Sequence, residues 1–245
     1  MEMSRDFAYF LGVMAGDGYV GKSGMIEIKS DNCEFLYIYS KTVKSIITKE
    51  PRIIKETNNK NSTYYRAYFC SKNFAKVLEG LGLSSPKTFT VSMPEIIKNG
   101  EIGFKLDFIR GVFDTDGCII TRIDKKILNY PNLSLSSRSK SLIEDIHKVL
   151  QISNFNSRIT IFQEKGKPRY MLRLFGFHEL YKYMSLIGFC NPPKLEKATK
   201  TLRDGIIRGP VDQLADRLHG KSRIASSAAR GYGFESRQVH EHRAL

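Results

Sequence analysis

The chain has 245 residues, of which 39 are Lys or Arg and 25 are Asp or Glu, a formal net charge of +14, and 41% are apolar. The apolar share fills a core and argues against overall disorder, while the basic excess suits a polyanionic partner: DNA, RNA or an acidic membrane face. The longest apolar stretch, Phe7 to Ala15, falls far short of a membrane span, and the first six residues do not form a signal peptide. An intracellular protein, cytoplasmic or organellar, is expected. Cys33, Cys70, Cys118 and Cys190 are far apart without a C-x-x-C pair, so they read as reduced structural thiols.

In chain order, a helix over about 5–16 leads into a hairpin (19–30), a helix (32–48), a second hairpin (51–57 with 63–70) and a helix (72–81). The same series then returns: helix 105–115, hairpin 118–137, helix 139–152, hairpin 157–163 with 169–175, and helix 178–187. The strongest self-match sets Tyr64–Leu83 against Tyr170–Phe189, 106 positions later, and each copy stops at a glycine, Gly82 or Gly188. Pro and then Lys follow in both, at Pro86-Lys87 and at Pro192-Pro193-Lys194. The expected class is therefore α+β: two αββαββα units with pseudo-twofold character, residues 1–98 with the linker and 99–204, followed by a poorly ordered tail, 205–245. The longer first hairpin of the second copy predicts a loop insertion over Asp124–Pro131. His147 and His178 fall in helices and read as ordinary surface or core residues.

The opening helix of each copy carries the candidate chemistry. Phe10–Gly18 reads FLGVMAGDG and Ile109–Gly117 reads IRGVFDTDG, 99 positions apart. Ala8, Gly12 and Gly16 form a stripe of small residues, kept at Gly111 and Thr115, which lets the two helix backbones approach closely. Side-by-side packing brings their C-terminal ends together, so that Asp17 and Asp116 converge with the carbonyls of Gly16 and Thr115. Helix C-termini carry partial negative charge, and two carboxylates there call for a cation. A hard divalent ion with oxygen ligands, Mg²⁺ with Mn²⁺ able to substitute, resolves the conflict. One Asp-Gly after a helix is commonly only a turn; two at equivalent places of a duplication, each with its small-residue stripe, are more specific.

These two segments resemble the signature helices of the LAGLIDADG homing endonucleases, and the duplicated unit resembles the single-chain, two-motif members, over about residues 5–200. The resemblance implies two antiparallel sheets forming a DNA-binding saddle over a long duplex, with the signature helices packed at the centre. It also implies divalent metal bound by Asp17 and Asp116, monomeric action and cohesive ends with 3′ overhangs. The sixth motif position departs, as Ala15 in one copy and Asp114 in the other; such positions pack or cap.

Phosphodiester hydrolysis needs an activated water, charge relief on the phosphate and a stabilised leaving oxygen, all within reach of metal held by paired carboxylates. Lys29 is the candidate assisting cation, with a plain phosphate contact as its equal alternative. Its counterpart region is Ser136-Ser137 with Arg138 behind, so the two half-sites are expected to differ. Lys22, Lys29, Arg52, Lys55, Arg66, Arg122, Arg138, Arg158, Arg169 and Arg173 are the candidate DNA-binding residues, strand alternation placing only some of them on the groove side. An intron RNA maturase with a host-intron RNA partner, or a catalytically silent DNA-binding regulator, are the rival readings. The tail shows no apolar periodicity. Its Gly233–Arg237 back-translates to GGTTCGAGTCCCG, like a transfer-RNA T-arm, and Asp212–Arg217 to a D-arm-like CAGTTGGCAGA, which suggests a reading frame that runs into a tRNA gene.

Overall fold

In the computed structural model, which describes residues 3–57, 62–124 and 127–208, the first copy opens with α1 (Arg5–Ala15). The hydroxyl of Ser4 accepts from the backbone N–H of Phe7 at 3.1 Å and caps its start. Then come β1 (Tyr19–Val20), β2 (Met25–Ser30), α2 (Cys33–Ile47), β3 (Arg52–Thr57), β4 (Thr63–Cys70) and α3 (Lys72–Gly80). After the short α4 (Glu95–Lys98), the second copy runs through α5 (Ile102–Asp116), β5 (Gly117–Asp124), β6 (Ile127–Ser137), α6 (Lys140–Ile152), β7 (Ser157–Glu164), β8 (Lys167–Phe175) and α7 (Phe177–Leu186). A further helix, α8 (Pro192–Arg208), was not expected from the sequence. Each copy forms a four-stranded antiparallel sheet with the same order, β1-β2-β4-β3 and β5-β6-β8-β7.

The duplication and the α+β class are as the sequence predicts. Both copies lie in one compact unit, Met1–Gly205. Two details differ. The expected loop over Asp124–Pro131 instead extends the hairpin: β5 continues to Asp124, β6 begins at Ile127, and Pro131 pairs with Thr121. The self-match of 106 holds for the glycine stops, but β4 and β8 correspond at 105 and β2 and β6 at 107. Glu27 pairs with Tyr68 just as Ser134 pairs with Arg173, and the extra residue is absorbed by α7, which has 10 residues against 9 in α3. In a strand a one-residue slip exchanges the two faces, so this offset decides which side chains are equivalent.

One face of each sheet is buried. Ile26, Ile28, Ala67 and Phe69 in the first, and Ile119, Leu133, Leu135, Leu172 and Leu174 in the second, are all nearly inaccessible. Between them lie the fully buried Phe10, Leu11, Met14, Phe108 and Phe113 of α1 and α5. The two helices touch through backbone: a Cβ on Gly12 would lie 2.0 Å from the carbonyl oxygen of Phe108, and one on Gly111 would lie 2.3 Å from that of Tyr9. No larger residue allows this approach, which fixes where the two helices end. Among the described residues no helix is long and apolar enough to cross a membrane.

Candidate active site

The close packing of α1 and α5 brings their C-termini together. A Cβ on Gly16 would lie 2.0 Å from Thr115 Oγ1 and 3.2 Å from Asp116 Oδ2. Asp17 follows the end of α1 and Asp116 is the last residue of α5, so two carboxylates share one neighbourhood as the motif predicts. Both residues keep solvent access, yet the crowded helix ends partly desolvate their carboxyl groups. That desolvation raises Asp17 above the ordinary carboxylate range, against the pull of Lys194 and Lys87. Asp116 is pushed up to about 6, first by desolvation and then by the charge of Asp17, with Lys194, Lys87 and Arg169 opposing. Among the described residues neither carboxylate takes a hydrogen bond or closes an ion pair.

Two lysines complete the site, and the sequence reading did not assign them to it. Lys87 Nζ donates to the carbonyls of Gly16 at 3.1 Å and Gly18 at 2.5 Å. Lys194 Nζ donates to Phe113 at 2.9 Å and Thr115 at 2.6 Å. Each lysine therefore caps the negative end of one signature helix, as a cation is expected to do. Desolvation lowers the pKa of both, against the attraction of Asp116 and Asp17, joined at Lys194 by Asp114. The available signal was the Pro-Lys pair that follows the glycine stop in both copies. The carbonyls of Gly16 and Thr115, expected as metal ligands, accept from these ammonium groups, and a divalent ion on the same oxygens would face that charge. The carboxylates of Asp17 and Asp116 remain as oxygen donors. Among the described residues no set of three or more His, Cys, Asp or Glu groups stands together as a metal cage. Two carboxylates without other partners fit Mg²⁺, which keeps several of its waters and binds proteins through one or two carboxylates.

Asp114 has a different job. It is almost fully buried and accepts from Tyr9 Oη at 2.9 Å, Cys190 N at 3.0 Å and Asn191 N at 3.1 Å, holding the start of α8 against α5. The motif position was expected to pack or cap, and here its carboxylate is buried and ties the residues just ahead of α8 to α5. Burial pushes the Asp114 carboxyl up to about 6 despite these donors.

The unburied sheet faces hold most of the predicted basic residues. Register places Lys29, Arg66 and Arg52 together on the first, with Glu27 and Glu56 among them. Arg66 pairs with Glu27 at 3.1 Å and with Glu56 at 2.8 Å. Lys29 lies 4.0 Å from Glu27 and over the Tyr64 ring at 5.6 Å. The cations acting on the Asp17 and Asp116 carboxyls are Lys87, Lys194 and Arg169, while Lys29, the expected assisting cation, has its contacts in the sheet network. Lys55 pairs with Tyr65 and alternates with Ile54, which puts it on the helix-covered face, apart from the group. Lys22 is exposed in the β1-β2 turn. On the second sheet Arg158 and Arg173 are register partners on the unburied face, and Arg173 Nε donates to Met171 Sδ at 2.9 Å. Arg169 binds Ser136 Oγ at 2.6 Å and shares Glu164 with Arg138, at 2.8 and 2.9 Å. Arg122 lies in β5, but its side chain is outside those described.

The fold and the paired helix ends define a duplicated α+β protein of the two-motif, carboxylate-centred kind. Residues 103–188 match the family model of the LAGLIDADG-like domain. The second copy is thus matched as a LAGLIDADG-like domain, and the duplicated fold of the chain is similar to that of LAGLIDADG homing endonucleases, in line with the sequence resemblance. Among solved structures, the mesophilic variants of the homing endonuclease I-DmoI superpose with a TM-score of 0.54 at 17% identity, over 75% of this chain and 95% of that one. The homing endonuclease I-WcaI bound to its DNA recognition sequence gives 0.54 at 18%, over 82% and 88%. Full-length DUF199/WhiA from Thermatoga maritima gives 0.53 at 16%, over 94% and 72%.

Among curated proteins, the replicative DNA helicase DnaB of Rhodothermus marinus is 25% identical over 193 residues, which is 73% of this chain and 20% of that protein. The replication factor C small subunit of Thermococcus kodakarensis is 25% identical over 197 residues, 80% and 21%. The probable translation initiation factor IF-2 of Methanocaldococcus jannaschii is 25% identical over 205 residues, 79% and 16%. The chain thus spans about a fifth of the length of these relatives.

Proposed function

We propose that this chain is a site-specific endonuclease that cuts both strands of a DNA duplex with Mg²⁺, or Mn²⁺ in its place. The observation that carries the reading is the pair Asp17 and Asp116: two crowded carboxylates at converging helix C-termini, without a hydrogen bond or ion pair among the described residues. A merely structural pair in such surroundings would be expected to find donors. A divalent ion held there supplies charge to the scissile phosphate and lowers the pKa of a water. In the balanced reaction water adds to phosphorus, the bond to the 3′ oxygen breaks, and a 3′-hydroxyl and a 5′-phosphate result.

The protein's own groups supply the rest. Asp17 and Asp116 hold the ion, and Lys87 and Lys194 are the cations placed to draw a phosphate toward the helix ends and to offset charge gathering on its oxygens. Arg52, Arg66, Arg158 and Arg173 line the unburied sheet faces, where Arg reaches phosphates and guanine edges. Duplex DNA as the substrate is supported by the relatives crystallised with it, one of them with its target and Mn. A segment of about 200 residues that recurs as a fifth of a helicase, a replication factor and an initiation factor also suits an element that moves between genes.

The second reading is DNA binding without cleavage. DUF199/WhiA shares the fold over most of this chain under a name that mentions no nuclease, so the fold alone does not carry catalysis. The deciding experiment incubates the protein and Mg²⁺ with a plasmid library of randomised duplex inserts, comparing wild type with Asp17→Asn and Asp116→Asn. Linearisation of a defined subset, abolished in both variants, supports the endonuclease. Retention of specific duplexes with no cut in either Mg²⁺ or Mn²⁺ establishes the binder.

A further inference from the structure

The compact unit closes at Gly205, and the amino-acid text from Gly209 to His240, outside the described residues, has a property unrelated to protein packing. Its codons admit the acceptor, D and T stems of a transfer-RNA gene, in the right order. Gly209-Pro210-Val211 can be spelled by GGA-CCT-GTN and Gln238-Val239-His240 by CAG-GTC-CAC. Read antiparallel, GGACCTG and CAGGTCC are fully complementary, as the two strands of an acceptor stem must be. Asp212-Gln213 and Asp216-Arg217 can be spelled by GAT-CAG and GAT-CGN, whose two GATC strands pair as a D-stem would. Tyr232–Arg237 can be spelled by TAC-GGG-TTC-GAG-TCC-CGT, which gives the strands ACGGG and CCCGT around the loop TTCGAGT, the pattern of a T-arm. The second acceptor strand begins at the nucleotide after the T-stem, where a transfer RNA requires it.

Each stem constrains amino acids at both of its ends. Had Gly209-Pro210 been followed by anything but a G-initial codon, or had Arg237 not been followed by a residue with a CAG codon, the acceptor stem would be broken. The same frame also meets the D-stem, the T-stem and the T-loop. Selection for a protein surface gives no reason for such complementarity between residues 209–211 and 238–240.

We infer that the DNA encoding this chain runs in frame into an entire transfer-RNA gene, and that the duplex cut by the enzyme is the uninterrupted border at that gene's 5′ end. The second half rests on the endonuclease reading of the Asp17 and Asp116 site. Because both acceptor strands lie downstream of the compact unit, the element sits beside the gene and leaves it whole. The tail is then a translated copy of RNA-coding text. It holds 7 Lys+Arg against 4 Asp+Glu, so +11 of the net charge falls on residues 1–204, where the sheets and the carboxylate site are.

The nucleotide sequence of the gene tests the first half: a cloverleaf with these stems is expected, and mismatches in the acceptor stem overturn the inference. For the second half, full-length protein and Mg²⁺ are given two substrates. One is a plasmid carrying the transfer-RNA gene with the upstream flank it has in a genome lacking the element; the other is the randomised library. A cut at the gene's 5′ border, absent when the border is scrambled, is the expected result. Cutting of library members with the border left intact overturns this target while the endonuclease reading stands. Failure to cut either substrate sinks both.

Discussion

Asp114 and Asn191 hold each other from both ends: the Asn191 backbone N–H donates to Asp114 Oδ1 at 3.1 Å, and Asn191 Nδ2 donates back to the Asp114 carbonyl at 2.9 Å. This clamp sits immediately before α8, three residues ahead of Lys194, which reaches the end of α5. Ala15 occupies the equivalent place in the first copy and cannot form it. Lys194 is thus set by a carboxylate and Lys87 is not, which gives physical content to two unequal half-sites. Asp114→Ala strands three donors, those of Tyr9, Cys190 and Asn191, and should cost about 2–4 kcal/mol of stability. It should also slow one strand cut more than the other, so that nicked plasmid accumulates before linear product. A gel time course resolves the two species, and equal slowing of both cuts would contradict the positioning role.

Asp114 also predicts a pH dependence whose sign is fixed. Its folded pKa is about 6, whereas an unfolded aspartate titrates near ~3.9. The folded state therefore holds the proton to higher pH. The group's contribution to stability is fully present below about pH 4 and is lost as pH rises through about 6, levelling off above. The loss is of order 2–3 kcal/mol, since each pKa unit is worth about 1.4 kcal/mol. Urea unfolding of metal-free wild type and Asp114→Asn across this window measures it. The difference between the two curves should change in that direction, whatever the other carboxylates contribute to both.

The helix contact gives a sharper test, because two glycines of one chain should respond oppositely. Gly12→Ala places a methyl group 2.0 Å from the Phe108 carbonyl oxygen, against backbone that cannot step aside. Overpacking of this kind costs about 1–3 kcal/mol or more. Gly80→Ala, at the end of α3, meets nothing within 4 Å and should stabilise by about 0.4–1 kcal/mol by restricting the unfolded chain. Thermal unfolding of the two variants decides it; a tolerated Gly12→Ala would mean that the signature helices are not held at backbone distance.

The residues of this contact were legible because small residues at four-residue spacing recur in both copies, and the carboxylates were legible because helices packed this closely must end together. The lysines were hidden for a different reason. Lys87 lies 71 positions from the Gly16 carbonyl it caps, and nothing local in the linker shows which helix end a Pro-Lys segment will fold onto. Residues two apart in a strand share a face, so strand alternation alone places Glu27 beside Lys29. The offset of 105 between β4 and β8 was masked by a helix one residue longer, a compensation that shows only when register and buried faces are taken together.

The contrast between Lys29 and the capping lysines is the test of the whole site. Removing Lys87 or Lys194 as Lys→Met takes a desolvated cation from beside Asp17 and Asp116 and uncaps a signature helix. Stability should fall by about 0.3–1 kcal/mol for each lost helix-end interaction. The larger effect is expected on the chemical step: a positioned charge that stabilises the transition state is typically worth about 10²–10³ in rate. Lys29→Ala instead removes an exposed charge from a sheet network that already contains Glu27, so it should weaken duplex binding and lower its salt dependence while leaving the rate of the bound complex nearly unchanged. Single-turnover cleavage at saturating enzyme, with binding measured separately in Ca²⁺, separates the two effects. If Lys29→Ala loses the chemical step while Lys87→Met and Lys194→Met keep it, the helix-capping lysines are structural and the assisting cation lies on the sheet after all.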